Sequence, residues 1–143
     1  DKLNENTLIS NFISSLKKGK REFKVATDQK FNPLYVRDLK KIIKLFLEKE
    51  IKGVFNVGGP EQLSRYKCIE KIIKQFKNKN MKKIILKKSK LKNFKFLDKR
   101  PLNITMNINK NKKIIKFKLT KIDDVAKEII KRNKLNEKLF NRR

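Results

Sequence analysis

The stretch NPLYVRDLKKIIKLFLEKEIKGVFNVGGP, residues 32–60, decides the fold class. Pro33 disfavours helix at Asn32, so the run opens in a turn. From Val36 onward Leu39, Ile42, Ile43 and Phe46 recur at three- and four-residue steps, while Lys40, Lys41 and Lys44 fall on the opposite face. That spacing predicts an amphipathic helix ending near Lys49. Ile51-Lys52-Gly53 turns the chain, Val54-Phe55-Asn56-Val57 reads as a short buried strand, and Gly58-Gly59-Pro60 breaks it. Helix, turn, strand and loop in so short a span indicate an α/β architecture.

Working outward, the same alternation continues on both sides. Leu8, Ile9, Phe12, Ile13 and Leu16 follow helical spacing, which predicts a helix over residues 6–18 closed by Gly19, and Phe23-Lys24-Val25-Ala26 reads as a strand. Ser64 is a good N-cap for a helix carrying Ile69, Ile72, Ile73 and Phe76 that stops near Lys77. Lys83-Ile84-Ile85-Leu86-Lys87 reads as a further strand, and a loop carries Arg100-Pro101. The last helix opens at Thr120, capped by its hydroxyl with Asp123 three residues on, and turns Ile122, Val125, Ala126, Ile129 and Ile130 inward. Phe12, Phe46, Phe55 and Phe76 read as core. No repeat or linker divides the chain, so residues 1–132 form one unit and residues 133–143 a basic, fraying tail.

Composition narrows the chemistry. The 143 residues contain 41 Lys and Arg against 14 Asp and Glu, a formal charge of +27, with no His, no Trp and one Cys. Cys68 alone allows no intramolecular disulfide and no cysteine-based zinc site, and the lack of His removes the usual general base, so triad hydrolases and zinc enzymes are excluded. No apolar run approaches the ~20 residues of a membrane helix, and the first residues do not form a signal peptide. A reducing, cytoplasmic setting without a membrane is expected, and a start at Asp1 rather than Met suggests a piece of a longer chain. Lys, Asn and Ile make up 66 of the 143 residues. All three have A/T-rich codons, so much of the Lys content reads as solvated surface. A charge of +27 will still attract polyanions non-specifically at low salt, but no zinc-finger spacing, aromatic RNA-binding strand or Arg-rich recognition helix accompanies it.

Read in order, Asn11-Phe12, TDQKFNPLYVRDL (27–39), IKGVFNVGGPEQLSRY (51–66) and KRPLN (99–103) resemble the C-terminal half of the dTDP-4-dehydrorhamnose reductase family. This is a branch of the extended short-chain dehydrogenase/reductases that also includes the regulatory β subunit of methionine adenosyltransferase. The resemblance covers roughly residues 8–130, and all three prolines sit at family positions. Asn32 and Leu34 replace the Gly and Thr of the family's Gly-x-Pro-Thr. The resemblance implies the C-terminal part of a Rossmann-like, NAD(P)-binding enzyme that closes over a dTDP-linked deoxysugar. In that family the N-terminal half holds NADP or NAD and supplies a Tyr-x-x-x-Lys pair. Here the only glycines are Gly19, Gly53, Gly58 and Gly59, and no Tyr-x-x-x-Lys exists. A dinucleotide loop cannot be written. The chain alone is therefore not expected to transfer hydride, and its partner would be the Rossmann half.

By the same resemblance Arg100 of the Arg-Pro motif holds the diphosphate, a task suited to a guanidinium fork stiffened by the following Pro101. Gln29 faces the substrate or orders its binding loop, Arg37 sits at a helix start near the pocket, and Asn11 lies near the nucleotide sugar. Each has a plainer reading: a surface cation for Arg100, turn chemistry around Asp28 and Gln29, and a polar neighbour of core Phe12 for Asn11. Ser64 reads as an N-cap, Asn103 as a bond to the backbone after Pro101, Cys68 as small apolar filler, and Asp123-Asp124 as first-turn acids suited to the helix dipole. Two alternatives stay open beside the reductase portion: a regulatory subunit like that of methionine adenosyltransferase, and a small basic nucleic-acid-binding protein.

Overall fold

Thr7 caps the first helix: Ser10 N–H donates to the Thr7 hydroxyl at 3.2 Å and Thr7 N–H donates to the Ser10 hydroxyl at 3.1 Å. This reciprocal pair satisfies two donors that a helix start leaves orphaned. The computed structural model describes residues 7–76 and 84–132. Helix α1 spans Leu8–Lys17 and ends before Gly19, whose φ of 92° suits a residue without Cβ. Strand β1 (Glu22–Ala26) follows, then β2 (Lys30–Phe31), helix α2 (Val36–Glu48), β3 (Leu63–Ser64), α3 (Arg65–Lys74), β4 (Ile85–Ser89), β5 (Asn103–Ile104), a short α4 (Asn109–Lys112) and α5 (Ile122–Arg132). A single 3-10 turn occupies Leu91–Asn93.

Two small sheets organise these elements. Strands β1 and β4 pair in parallel, Glu22 opposite Ile85 through Ala26 opposite Ser89. Strand β2 lies between β3 and β5, antiparallel to the first and parallel to the second, with Lys30 opposite both Ser64 and Asn103. The main core joins α1, β1, α3 and α5 through Phe12, Ile13, Leu16, Phe23, Ile69, Ile72, Val125 and Ala126. Full burial of each Ile or Leu there is worth about 1.5–3 kcal/mol. The architecture is α/β, as the alternating pattern predicts.

Strands β2, β3 and β5 and helix α4 are not expected from the sequence, being too short to show a period, and several expected elements differ for a physical reason. Val54–Val57 carries no ladder, and Val54 is 87% exposed rather than buried. Among the described residues no strand lies beside the segment, so side chains of α4 take its carbonyls: Lys110 Nζ donates to Val54 O at 3.1 Å and Asn111 Nδ2 donates to Asn56 O. Phe46 and Phe55 are half-buried outside the main core and pack edge-on to each other, with ring centroids 4.9 Å apart. The last helix starts at Ile122, not Thr120, because carboxylates from elsewhere serve its start: Glu61 accepts the Ile122 N–H at 2.9 Å and buried Asp38 accepts the Thr120 N–H at 2.6 Å. Strand β4 runs two residues further along than expected, to Ser89, in register with all of β1; Lys83 and Lys77 lie outside the described residues. The tail at 133–143 also lies outside them.

Candidate functional site

The three-stranded sheet brings separate loops to one edge of the molecule. Strand β3 runs into α3, so Arg65 follows the last strand residue directly, while Arg100-Pro101-Leu102 leads into β5. Between them sits Gln29, just ahead of β2 and only 2% exposed. Its Oε1 accepts a hydrogen bond from Arg65 Nε, its Nε2 donates to Pro101 O at 2.9 Å, and its backbone carbonyl accepts the Arg65 N–H at 3.2 Å. A buried amide survives when both of its ends are bonded, and here both bonds tie neighbouring loops together. Gln29 therefore points into protein and orders the loop of Arg100.

Around this junction lie two adjoining clefts of about 260 and 310 Å³. The first is lined by Asn11, Phe12, Phe23 and Arg65, the second by Asp98, Lys99 and Arg100. Phe94 and Phe96, stacked at 6.2 Å, line both. The Arg100 guanidinium lies 4.3 Å from the centre of the Phe96 ring, and Lys24 Nζ 5.5 Å from that of Phe94, so cations rest on the aromatic wall. Partial burial and then the like charge of Arg100 lower the pKa of Arg65. A guanidinium remains charged in spite of that.

Asn11 and Arg100 thus line adjoining clefts, and Gln29 lies behind them, bonded to Arg65 and to Pro101. Arg37 does not join them: on the first turn of α2 it forms an ion pair with Glu128 of α5 at 2.9 Å, beside the Tyr35 hydroxyl that donates to the same carboxylate. Asp28 accepts the Leu91 N–H at 2.8 Å, capping the 3-10 turn across the fold instead of bonding within its own turn. Asn103 accepts from Thr105 N–H at 3.0 Å, the backbone role expected of it, and Ser64 caps α3 by accepting the Lys67 N–H at 3.1 Å. Asn32, which stands where the resemblance expects Gly, accepts the Met106 N–H at 2.7 Å and so holds the chain after β5. Arg65 escapes a reading of the sequence because a residue after an N-cap has no local mark of its tertiary neighbours. Its scarcity, one of 7 Arg against 34 Lys, is the signal that could have found it.

A family model described as the RmlD substrate binding domain matches residues 3–135. The chain belongs to this family. Among solved structures, the RmlD-family chain is similar to a dTDP-4-dehydrorhamnose reductase from Bacillus anthracis in complex with NADP. The identity is 20%, the TM-score 0.71, and the match covers 90% of this chain and 43% of that one. The Yersinia enterocolitica reductase gives 14% identity and a TM-score of 0.74 over 89% of this chain and 43% of that one. A reductase ortholog from Clostridium acetobutylicum gives 19% and 0.73 over 92% and 45%. At such identities these likenesses establish the fold, and the RmlD-family chain spans less than half the length of each. No curated protein matches it in sequence.

The RmlD-family chain's own residues do not fit the dinucleotide bound to the Bacillus protein. A dinucleotide needs a glycine-rich turn between a strand and a helix. The Gly58-Gly59 pair is used otherwise, since a Cβ on Gly59 would fall 1.7 Å from the Pro33 carbonyl oxygen. That pair lets the loop pack against the Asn32-Pro33 turn.

Proposed function

We propose that this chain is the sugar-nucleotide-binding portion of a dTDP-4-dehydrorhamnose reductase-like oxidoreductase of cytoplasmic nucleotide-sugar biosynthesis. Its ligand is a dTDP-linked deoxysugar, and NADP or NAD is held mainly by a Rossmann half outside this sequence. The observation that carries the reading is Arg100, placed on the loop into β5 at an aromatic-walled cleft whose adjoining part holds Asn11. Braced on Phe96 and followed by Pro101, its fork offers parallel N–H donors to phosphate oxygens. Asn11 offers an amide to sugar oxygens, and Gln29 orders the loop.

The proposed Rossmann partner is supported by a face that the fold leaves open. Val36, Ile43 and Leu47 on α2, together with Val54, are exposed apolar side chains. A contiguous exposed apolar face is a surface for a partner to cover. The reductases of known structure have more than half their length beyond the matched region, enough to supply one.

In a reductase-length protein, reduction of a dTDP-4-keto-deoxysugar is followed by the loss of NADPH absorbance. Arg100→Ala is expected to raise KM roughly tenfold, equivalent to about 1.4 kcal/mol. An unchanged KM overturns the diphosphate role of Arg100. Binding of the dTDP-sugar without cofactor oxidation selects the regulatory-subunit alternative, and sequence-specific DNA or RNA binding that survives ~200 mM salt selects the nucleic-acid one.

A further inference from the structure

Helix α4 is short, and the chain that follows it crosses to α5 without helix or strand. Between this segment, α2 and the loop after Val57 lies a cavity of about 200 Å³, walled by Ile42, Val57, Ile108, Ile115, Phe117 and Leu119. It shares no lining residue with the two clefts at the edge of the three-stranded sheet. A cavity of about 150 Å³ already holds a benzene ring, so this one has room for a single ring with a short substituent.

One neutral polar side chain, Asn111 of α4, lines that apolar wall and is 2% exposed. Its backbone N–H donates to Ile108 O at 3.1 Å, its backbone carbonyl accepts the Ile115 N–H at 2.7 Å, and its Nδ2 donates to Asn56 O. Its Oδ1 has no partner, the only such buried side-chain atom among the described residues. Buried acceptors are almost always bonded, and a leucine of similar size would fill the place without that cost. The bare acceptor therefore calls for a donor that the chain does not supply.

The charge around the cavity has one sign. Lys112, Lys118 and Lys121 line it and are exposed, no Asp or Glu does so, and among the described residues none of the three lysines forms an ion pair. Exposed lysines along an apolar opening carry their ammonium groups to its rim, where an anion is attracted to all of them.

We propose that this cavity is a second ligand site, separate from the sheet-edge clefts, for a small aromatic acid. Its ring fills the apolar pocket, a hydroxyl or amine on the ring donates to Asn111 Oδ1, and its carboxylate sits among Lys112, Lys118 and Lys121. A purely apolar ligand leaves the acceptor bare and forgoes the lysines, while inorganic phosphate gains nothing from Ile115, Phe117 and Leu119. Bound there, the acid ties α2 to the segment leading into α5 and stabilises the folded chain.

The test is a titration of the 143-residue chain with para-hydroxyphenylacetate, phenylacetate and para-hydroxybenzyl alcohol at ~150 mM salt, where diffuse lysine attraction is screened. Isoleucine methyl signals are read by NMR. Those of Ile42, Ile108 and Ile115 are expected to move and saturate with the hydroxy acid, while those of Ile13 and Ile72 in the main core stay in place and report an intact fold. Phenylacetate, which lacks the donor, and the alcohol, which lacks the acid, each bind about tenfold more weakly. Asn111→Leu takes up the two acids alike, and the double variant K118Q/K121Q weakens both acids but not the alcohol. An excess of dTDP leaves all three affinities unchanged. Shifts that do not saturate, or three probes of equal affinity, overturn the site, and this series in the wild-type chain needs no folded variant to decide. A hydroxyl preference that survives in Asn111→Leu overturns the match to Oδ1 and the proposal with it. Displacement of the acid by dTDP places it in the sheet-edge clefts and likewise overturns the second site, leaving the sugar-nucleotide reading untouched. The same titration in a reductase-length protein is expected to give the same order of affinities; its loss there means that the other half covers the cavity, and sinks the site.

Discussion

At Gln29 a polar side chain with an apolar-sized burial is tolerated because its carbonyl and its amine are each bonded to a different loop. Gln29→Leu keeps the volume but strands Arg65 Nε and Pro101 O, and urea unfolding is expected to show a loss of about 2–3 kcal/mol. Gly59 presents a steric case: a methyl group there would meet the Pro33 oxygen at 1.7 Å, so Gly59→Ala must push the two loops apart. A lowered midpoint in the same urea experiment, by more than the ~0.5 kcal/mol of an ordinary surface change, is the expected result. Cys68 is fully buried in the core, and burial, with a smaller push from Glu61, drives its thiol up to about 12. At neutral pH it is expected to stay inert to a disulfide reagent until the chain unfolds, so that labelling and loss of helical circular dichroism coincide. Its inertness is legible in the sequence from its place beside helix-face isoleucines. The role of Gln29 is only half legible there and that of Arg65 not at all, since their bond joins residues 36 positions apart.

Among the elements, α3 and α5 are tied by a polar cluster that no periodicity reveals. Lys71 of α3 pairs with Glu61 at 2.9 Å and with Asp123 of α5, and Gln75 Nε2 donates to the same Asp123 at 3.1 Å. The Lys71 hydrogen bond holds the Asp123 carboxyl below its ordinary 3.8, and Asp123 and Glu61 hold the Lys71 amine above its ordinary 10.5. A carboxyl with a depressed folded pKa stabilises fully above 3.8 and loses that contribution as pH falls through the folded value. An amine with a raised one stabilises fully below 10.5 and loses it as pH rises through the folded value. Asp123→Asn should therefore cost about 1 kcal/mol at neutral pH and approach nothing near pH 2. Urea unfolding of both proteins across that range measures the convergence. Sequence position assigns the acids at the start of α5 to the helix dipole, a role the structure allows, but the stronger contact of Asp123 is to another helix.

For the whole molecule, two apolar sites of similar composition behave oppositely. Ile72 of α3 is fully buried in the main core, so Ile72→Ala is expected to cost about 2–5 kcal/mol, the cost of an emptied core site. Leu47 on α2 is 74% exposed, and Leu47→Lys should change stability by less than about 0.5 kcal/mol in this chain. In a reductase-length protein the same substitution is expected to loosen the α2 face, read as faster proteolysis of the joint between the halves. The contrast cannot be taken from the sequence, where both leucine-rich and isoleucine-rich faces show the same helical period.

What the sequence determined by itself was the long helices and the α/β alternation: α1 closed by Gly19, α2 from Val36 and α3 behind its Ser64 cap, all of which depend on spacing and on residues within one helical turn. The tertiary structure decided which faces are buried, that Val54–Val57 carries no ladder, and that Arg65, Gln29 and Arg100 share one edge. Those outcomes follow from partners far away along the chain. A strand needs a neighbour to bond, a helix face needs a surface to cover it, and a buried amide needs partners brought to both of its ends.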